Sequence, residues 1–164
     1  MEKILFKETQ KYIVLMVAAV LSTVFFGVFC VIQIGFGKSV GNHSAPNALL
    51  IVFFAVSVGT IFLAWYQKLI VTITEEEIQI SFGILTSNKV IKISDIKNIT
   101  TRKYNAMKEF WGWGIRFKDN TTCFTVSGSD AIEIELKSGE KLLVGTQKMA
   151  AVEEAVLKLR IGML

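Results

Sequence analysis

The sequence predicts an α+β chain: two N-terminal membrane-spanning helices, then an antiparallel β-barrel capped by a C-terminal α-helix. Three observations predict it. Residues 12–34 and 48–66 are long apolar runs without a charged side chain. From residue 68 onward, apolar positions recur every second residue, and after Thr146 they recur at helical spacing. The expected division is a helical hairpin over residues 1–67 and a cytoplasmic β domain over 68–164, within 164 residues that are 52% hydrophobic.

Each apolar run, as a helix rising about 1.5 Å per residue, is long enough to cross a hydrocarbon core of about 30 Å. The first follows Lys3, Lys7 and Lys11, as a secretory signal would. It is longer than an ordinary signal core and lacks a small-residue cleavage site, so a retained helix is the better reading. Lys68 follows the second run, whereas the connecting loop carries only Lys38. The positive-inside rule then places both termini in the cytoplasm of a multi-pass protein of the cell membrane. Tyr12, Trp65 and Tyr66 would lie at the inner interface, where amphipathic rings are favoured.

Ala19, Thr23 and Gly27 form a small-residue stripe on the first helix; Ala55 with Gly59, and Thr60 with Ala64, do so on the second. Such stripes allow close helix approach, either within the hairpin or between copies. Neither run holds Asp, Glu, Lys, Arg or His, and Gln33 is the one strongly polar group. This is the composition of an anchor, since ion pathways need intramembrane charges or broken helices.

The cysteines, Cys30 and Cys123, stand in different segments and have no disulfide partner in a reducing compartment. With His43 as the single histidine, no zinc-ligand spacing exists, and no phosphate-binding or nucleophile-elbow motif occurs. No cofactor is expected. Asn42, Asn98 and Asn120 open N-x-[ST] triplets, which arise often by chance and carry no weight.

In the second domain, LIVTIT (69–74), EIQISFG (77–83), KVIKIS (89–94), IKNITTRKY (96–104), WGWGIRF (111–117), TCFTVS (122–127), AIEIEL (131–136) and KLLVGT (141–146) read as short strands. SGEK (138–141) reads as a hairpin turn. In QKMAAVEEAVLKL (147–159), Met149, Val152, Val156 and Leu159 share one helical stripe, with Glu153 and Glu154 turned away and Thr146 as N-cap. The helix would cover an open end of the barrel.

The turn ISDI (93–96) and the runs KYNAMKEFWGWGIRF (103–117), TVSGSDAIEIEL (125–136) and KLLVGTQK (141–148) resemble those of bacterial pleckstrin-homology-like (PH-like) domains. The chain is similar, over nearly its whole length, to bacterial membrane proteins with two transmembrane helices before such a domain. The resemblance implies a strongly bent antiparallel barrel capped by the last helix, and implies no reaction. Met149 stands where a proline is expected in such proteins, so helix entry depends more on Thr146. Eukaryotic PH domains bind phosphoinositide headgroups through a basic loop between their first two strands, and that function is not carried over to this chain. The loop in that place is Thr74-Glu75-Glu76-Glu77, whose carboxylates would repel such a headgroup.

A second basic group, Arg102, Lys103, Lys108, Arg116 and Lys118, is the candidate contact surface for lipid or a partner. Residues 68–164 hold 14 Lys and Arg against 12 Asp and Glu, so an ordinary solvated face is the competing reading. Nucleic-acid binding lacks both the positive balance and a recognition motif. Catalysis lacks a histidine on the cytoplasmic side and a cysteine with a base; Asp95, Asp119 and Asp130 suit turns. A non-catalytic, membrane-anchored binding or scaffold module is expected, meeting a protein partner, a second copy or the bilayer. The alternatives are a lipid-responsive element acting through the basic face and an accessory subunit of a larger membrane complex.

The run KEFWGWGIRF (108–117), read as a strand, places Trp111, Trp113, Ile115 and Phe117 on one face. That face is expected to be barrel core, with a membrane wedge or peptide groove as the alternative.

Overall fold

A computed structural model describes residues 3–41, 44–83 and 88–162. It divides the chain into two compact units, Tyr12–Tyr66 and a β unit of Met1–Lys11 with Gln67–Leu164. His43 and the triplet beginning at Asn42 fall outside the described residues.

The first unit consists of α1 (Ile13–Cys30), continued by a π-helical turn over Val31–Gly35, and α2 (Asn47–Tyr66). Mean hydropathy reaches 2.6 over Ile13–Gly35 and 2.4 over Asn47–Tyr66, so both spans are long and apolar enough to cross a membrane. Only 6% and 17% of these spans are buried, so their side chains form no soluble core of their own. Ala19 is buried in α1, and Gly27 lets the Phe54 ring approach to 3.2 Å from where a Cβ would stand. The first-helix stripe thus packs within the hairpin, as do buried Ser57 and Ala64 of α2. Ala55 and Gly59 are exposed, and a Cβ on Gly59 would touch nothing. Gln33 Nε2 closes the far end by donating to Ala45 O (2.6 Å) and Asn47 Oδ1 (2.8 Å).

The β unit is a mixed α+β body with two sheets. β1 (Ile4–Lys11), β2 (Lys68–Thr74), β3 (Glu77–Phe82) and β4 (Lys89–Lys92) form a four-stranded antiparallel meander. A 3₁₀ turn at Ile93–Asp95 ends it. β5 (Ile96–Lys103), β6 (Gly114–Lys118), β7 (Thr121–Thr125), β8 (Asp130–Leu136) and β9 (Lys141–Thr146) form a second sheet in the order β5-β8-β9-β7-β6. Gly139, at φ 88°, turns the β8–β9 hairpin. α3 (Ala106–Phe110) interrupts the chain between β5 and β6, and α4 (Met149–Gly162) ends the described chain.

Three expectations are corrected. No closed barrel forms among the described residues, because consecutive strands β4 and β5 part at the 3₁₀ turn into separate sheets. The pairing is not wholly antiparallel: β9 folds back between β8 and β7, and so runs parallel to β7. The basic N-terminal segment is not a bare flank but a strand, paired with β2 from Ile4↔Thr74 to Lys11↔Lys68. The β unit therefore begins well before residue 68, and residues 12–66 join two neighbouring strands. The acidic turn at 74–77 consequently joins the second and third strands, not the first and second.

Alternation explains the core. Leu69, Val71 and Ile73 of β2, Ile78 and Ile80 of β3, Ile132 and Ile134 of β8, and Leu142 and Val144 of β9 are fully buried. Val152, Ala155, Val156 and Leu159 of α4 pack inward, while Glu153 and Glu154 stay exposed. The inward face of β1 is different: Phe6, Glu8 and Gln10 are all buried.

Two of these polar side chains tie β1 to the end of β9. Gln10 Nε2 donates to Gly145 O (2.7 Å). The Glu8 carboxylate accepts from Thr146 Oγ1 (2.7 Å) and from Gln147 N–H (3.0 Å). Thr146 Oγ1 in turn accepts from Lys148 N–H (3.1 Å), just before α4. A buried carboxylate is costly unless its oxygens are occupied, and here both are. Glu8→Ala should lower the unfolding free energy by about 2 kcal/mol, because it strands the buried Thr146 hydroxyl and the part-buried Gln147 N–H. Lys7→Ala, on the exposed face, should change it little; denaturant titration of the full chain in detergent measures both.

Candidate functional site

The expected basic group gathers around α3. Asn105 caps this short helix by accepting from Lys108 N–H (3.0 Å), and Glu109 reaches back to accept from Asn105 N–H (2.7 Å). Tyr104, Ala106 and Phe110 are buried against Cys123, Ala131 and Leu143, with Trp113 half-buried beside them. Trp113 Nε1 donates to Gly128 O (3.3 Å). α3 is thus a patch of secondary core on one face of the second sheet, between its edge strands β5 and β6.

Arg102 is part of that scaffold. Its guanidinium donates to Glu133 (3.1 Å) and Glu109 (3.0 Å), and to Lys103 O (3.2 Å). Burial alone would raise the Glu109 carboxyl, but the Asn105 N–H and the Arg102 guanidinium outweigh it and hold it below the usual range. Lys103, Lys108, Arg116 and Lys118 are exposed, with no ion pair among the described residues. Lys103 lies on β5 and Arg116 on β6, opposite edges of a five-stranded sheet.

The tryptophan run departs from the strand reading. Strand geometry begins only at Gly114; before it, α3 ends in Trp111, held at φ 60° in the left-handed region. Trp111 is 84% exposed and Phe117 78%, whereas Phe110, expected on the opposite face, is buried. The core expectation therefore fails for Trp111, because a helical turn rotates 110–113 out of register with the strand, and for Phe117, which stands exposed on the edge strand β6. Met107, 61% exposed, joins them as an apolar residue in water. One signal for α3 was present in the sequence: Asn105 as N-cap before Ala-Met-Lys-Glu, all good helix formers.

Beneath α3 lies a polar pocket of core. Cys123 Sγ is 3.8 Å from Thr125 Oγ1, and the Tyr104 hydroxyl and Asp130 Oδ1 are buried near them. Burial pushes the Cys123 thiol up to about 11 and the Tyr104 phenol up to about 12. A thiol so held is protonated and unreactive near neutrality. Among the described residues, no three His, Cys, Asp or Glu side chains are placed to hold a metal. A cavity of about 430 Å³ elsewhere in the β unit is lined by Lys3, Leu5, Glu75, Ile93, Lys158 and Leu159, with Lys3 already paired to Glu75 (3.0 Å).

Trp113→Ala should lower stability by about 2 kcal/mol, whereas Trp111→Ala should change it by less than about 0.5 kcal/mol. Both follow from denaturant unfolding. The raised thiol and phenol values give a pH dependence. Both groups are protonated in either state below the unfolded thiol value of about 9, so stability is intact there. It should fall as pH rises from about 9 towards 12, because only the unfolded chain then ionises readily. Tyr104→Phe should flatten the upper part of that decline in thermal unfolding scans. No family model, curated protein or solved structure matches the chain, so its own geometry carries the functional reading.

Proposed function

We propose that this chain is a membrane-anchored, non-catalytic interaction module whose β6 edge receives an extended segment of a partner protein. The observation that carries the reading is the edge itself. β6 pairs only with β7 among the described residues and presents exposed Arg116, Phe117 and Lys118. A segment adding to this edge would gain main-chain hydrogen bonds, with an apolar side chain against Phe117 and carboxylates near the two cations.

Residues 12–66 serve as the anchor, being apolar along both helices and largely unburied. Supporting this, Lys11 pairs with Lys68, so the chain leaves and re-enters the β unit at one place. Two spans departing and returning there keep the N- and C-terminal parts on one side, and the lysine balance favours the cytoplasm. The two sheets and terminal helix are compatible in class with a PH-like domain. The non-catalytic reading is supported by the burial of Cys123 and by its high thiol value. A second reading, an accessory subunit or homo-oligomer, is favoured by exposed Ala55 and Gly59, where another helix could approach closely.

A photo-crosslinking residue at position 117 of the full-length chain, in native membranes, tests the edge. The expected product is a covalent adduct to one protein, mapped to an extended segment and lost with a proline in that segment. A folded chain that yields no protein adduct at 117 rules the reading out. Adducts confined to positions 55 and 59 would support the second reading.

A further inference from the structure

The outer face of α4 carries a second apolar stripe, on the side away from the core. Val152, Ala155, Val156 and Leu159 form the inner stripe and are buried. On the other side Leu157 is 59% and Ile161 65% exposed, and Ala150 is exposed as well. At about 3.6 residues per turn, positions 150, 157 and 161 fall along one edge of the helix. A helix resting on one core needs one apolar stripe, and α4 has two.

Charged residues flank this stripe, and each flank runs from acid to base. Along one flank Glu153 precedes Arg160, and along the other Glu154 precedes Lys158. Glu154 and Lys158 already pair within the helix at 2.7 Å. Glu153 and Arg160 have no ion pair among the described residues, and stand about 10 Å apart along the axis. A groove of about 270 Å³ runs between them, lined by Thr100, Thr101, Glu153, Val156, Leu157 and Arg160.

Acid first and base last on both flanks is self-complementary when two such helices run antiparallel. Each flank then meets the same flank of the other copy, so Glu153 faces Arg160 and Arg160 faces Glu153. The second flank behaves alike, with Glu154 near Lys158 of the other copy. A two-fold axis beside Leu157 satisfies both flanks, sets leucine on leucine and brings Ala150 near Ile161. A parallel pair would instead set Glu153 against Glu154 and Arg160 against Lys158, which repels. The helix dipoles favour the antiparallel order as well.

We propose that the outer face of α4 binds a second copy of this chain, antiparallel, through Ala150, Leu157 and Ile161 and two reciprocal Glu153–Arg160 ion pairs. The groove beside Leu157 gives the other copy's leucine a place to enter. Three apolar side chains per copy make a weak contact, so association is measured with copies crowded in vesicles. The proposal depends neither on β6 receiving a partner nor on the exposed Ala55 and Gly59.

The test uses the full chain with Cys30→Ala, reconstituted in phosphatidylcholine vesicles, with donor and acceptor dyes on Lys137→Cys. Energy transfer between copies, followed over a series of protein-to-lipid ratios, gives the association. Glu153→Arg and Arg160→Glu should each weaken it about tenfold, because two pairs become like-charged. Joined in one chain, the two changes should restore it to within about threefold. Leu157→Asp should abolish transfer and leave the far-ultraviolet circular dichroism unchanged. Direction is read by oxidation of undyed chains: a mixture of Glu153→Cys and Arg160→Cys should give the crossed disulfide in excess over either self-adduct. Self-adducts in excess mean a parallel pair and overturn the proposal. Transfer that no α4 change alters overturns it too, and loss confined to Ala55→Leu or Gly59→Leu assigns association to the apolar helices. Absence of transfer at the highest protein-to-lipid ratio leaves the face to another occupant and overturns the proposal equally. Crosslinking at position 117 should be unchanged in Leu157→Asp, which keeps the two surfaces separable.

Discussion

The pairing of β1 with β2 is the constraint on which the rest of the structure depends. Lys11 faces Lys68 in one ladder, although the whole apolar hairpin lies between them in sequence. Closing a connection of that length has an entropic cost that grows only slowly with the number of residues. The ladder and the buried contacts of Phe6, Glu8 and Gln10 offset it. Once β1 is in place, the Glu8 carboxylate fixes Thr146 and Gln147, and α4 starts where it can cover the core. The N-terminal strand and the C-terminal helix are thereby joined through one buried side chain.

This arrangement changes what the apolar hairpin means for the β unit. A hairpin placed before a domain could be removed without touching the domain's sheet. One inserted between adjacent strands cannot, since its two ends are held at neighbouring positions of a single ladder. The spacing of the spans and the register of the first sheet are then coupled by covalent connection.

Around α3 the structure separates residues that a linear reading groups together. Arg102 looks like one more member of a basic face, yet it binds Glu109 and Glu133 and so belongs to the scaffold. Trp111 and Trp113 differ by one residue from a shared glycine, yet one is solvent-facing and the other packs on core. The difference arises because α3 ends in a left-handed turn, which reorients the chain before β6 begins. A period-two reading that starts too early puts both indoles on the same face.

The sequence by itself determined the elements whose burial follows a single period. β2, β3, β8 and α4 were legible because each has one apolar face and a polar remainder, and the two spans and β9 because they are continuous apolar runs; their observed bounds lie within a few residues of those expected. Two things needed tertiary structure. β1 buries Glu8 and Gln10 and exposes Lys7 and Thr9, so its alternation is polar on both faces and carries no hydropathy signal. Sheet order is likewise invisible to local periodicity: the parallel β7–β9 pair and the break between β4 and β5 depend on which strands meet, not on how each one alternates. Exposure of Trp111 belongs with these, because a hydrophobic side chain reads as core until the chain around it is known to turn away.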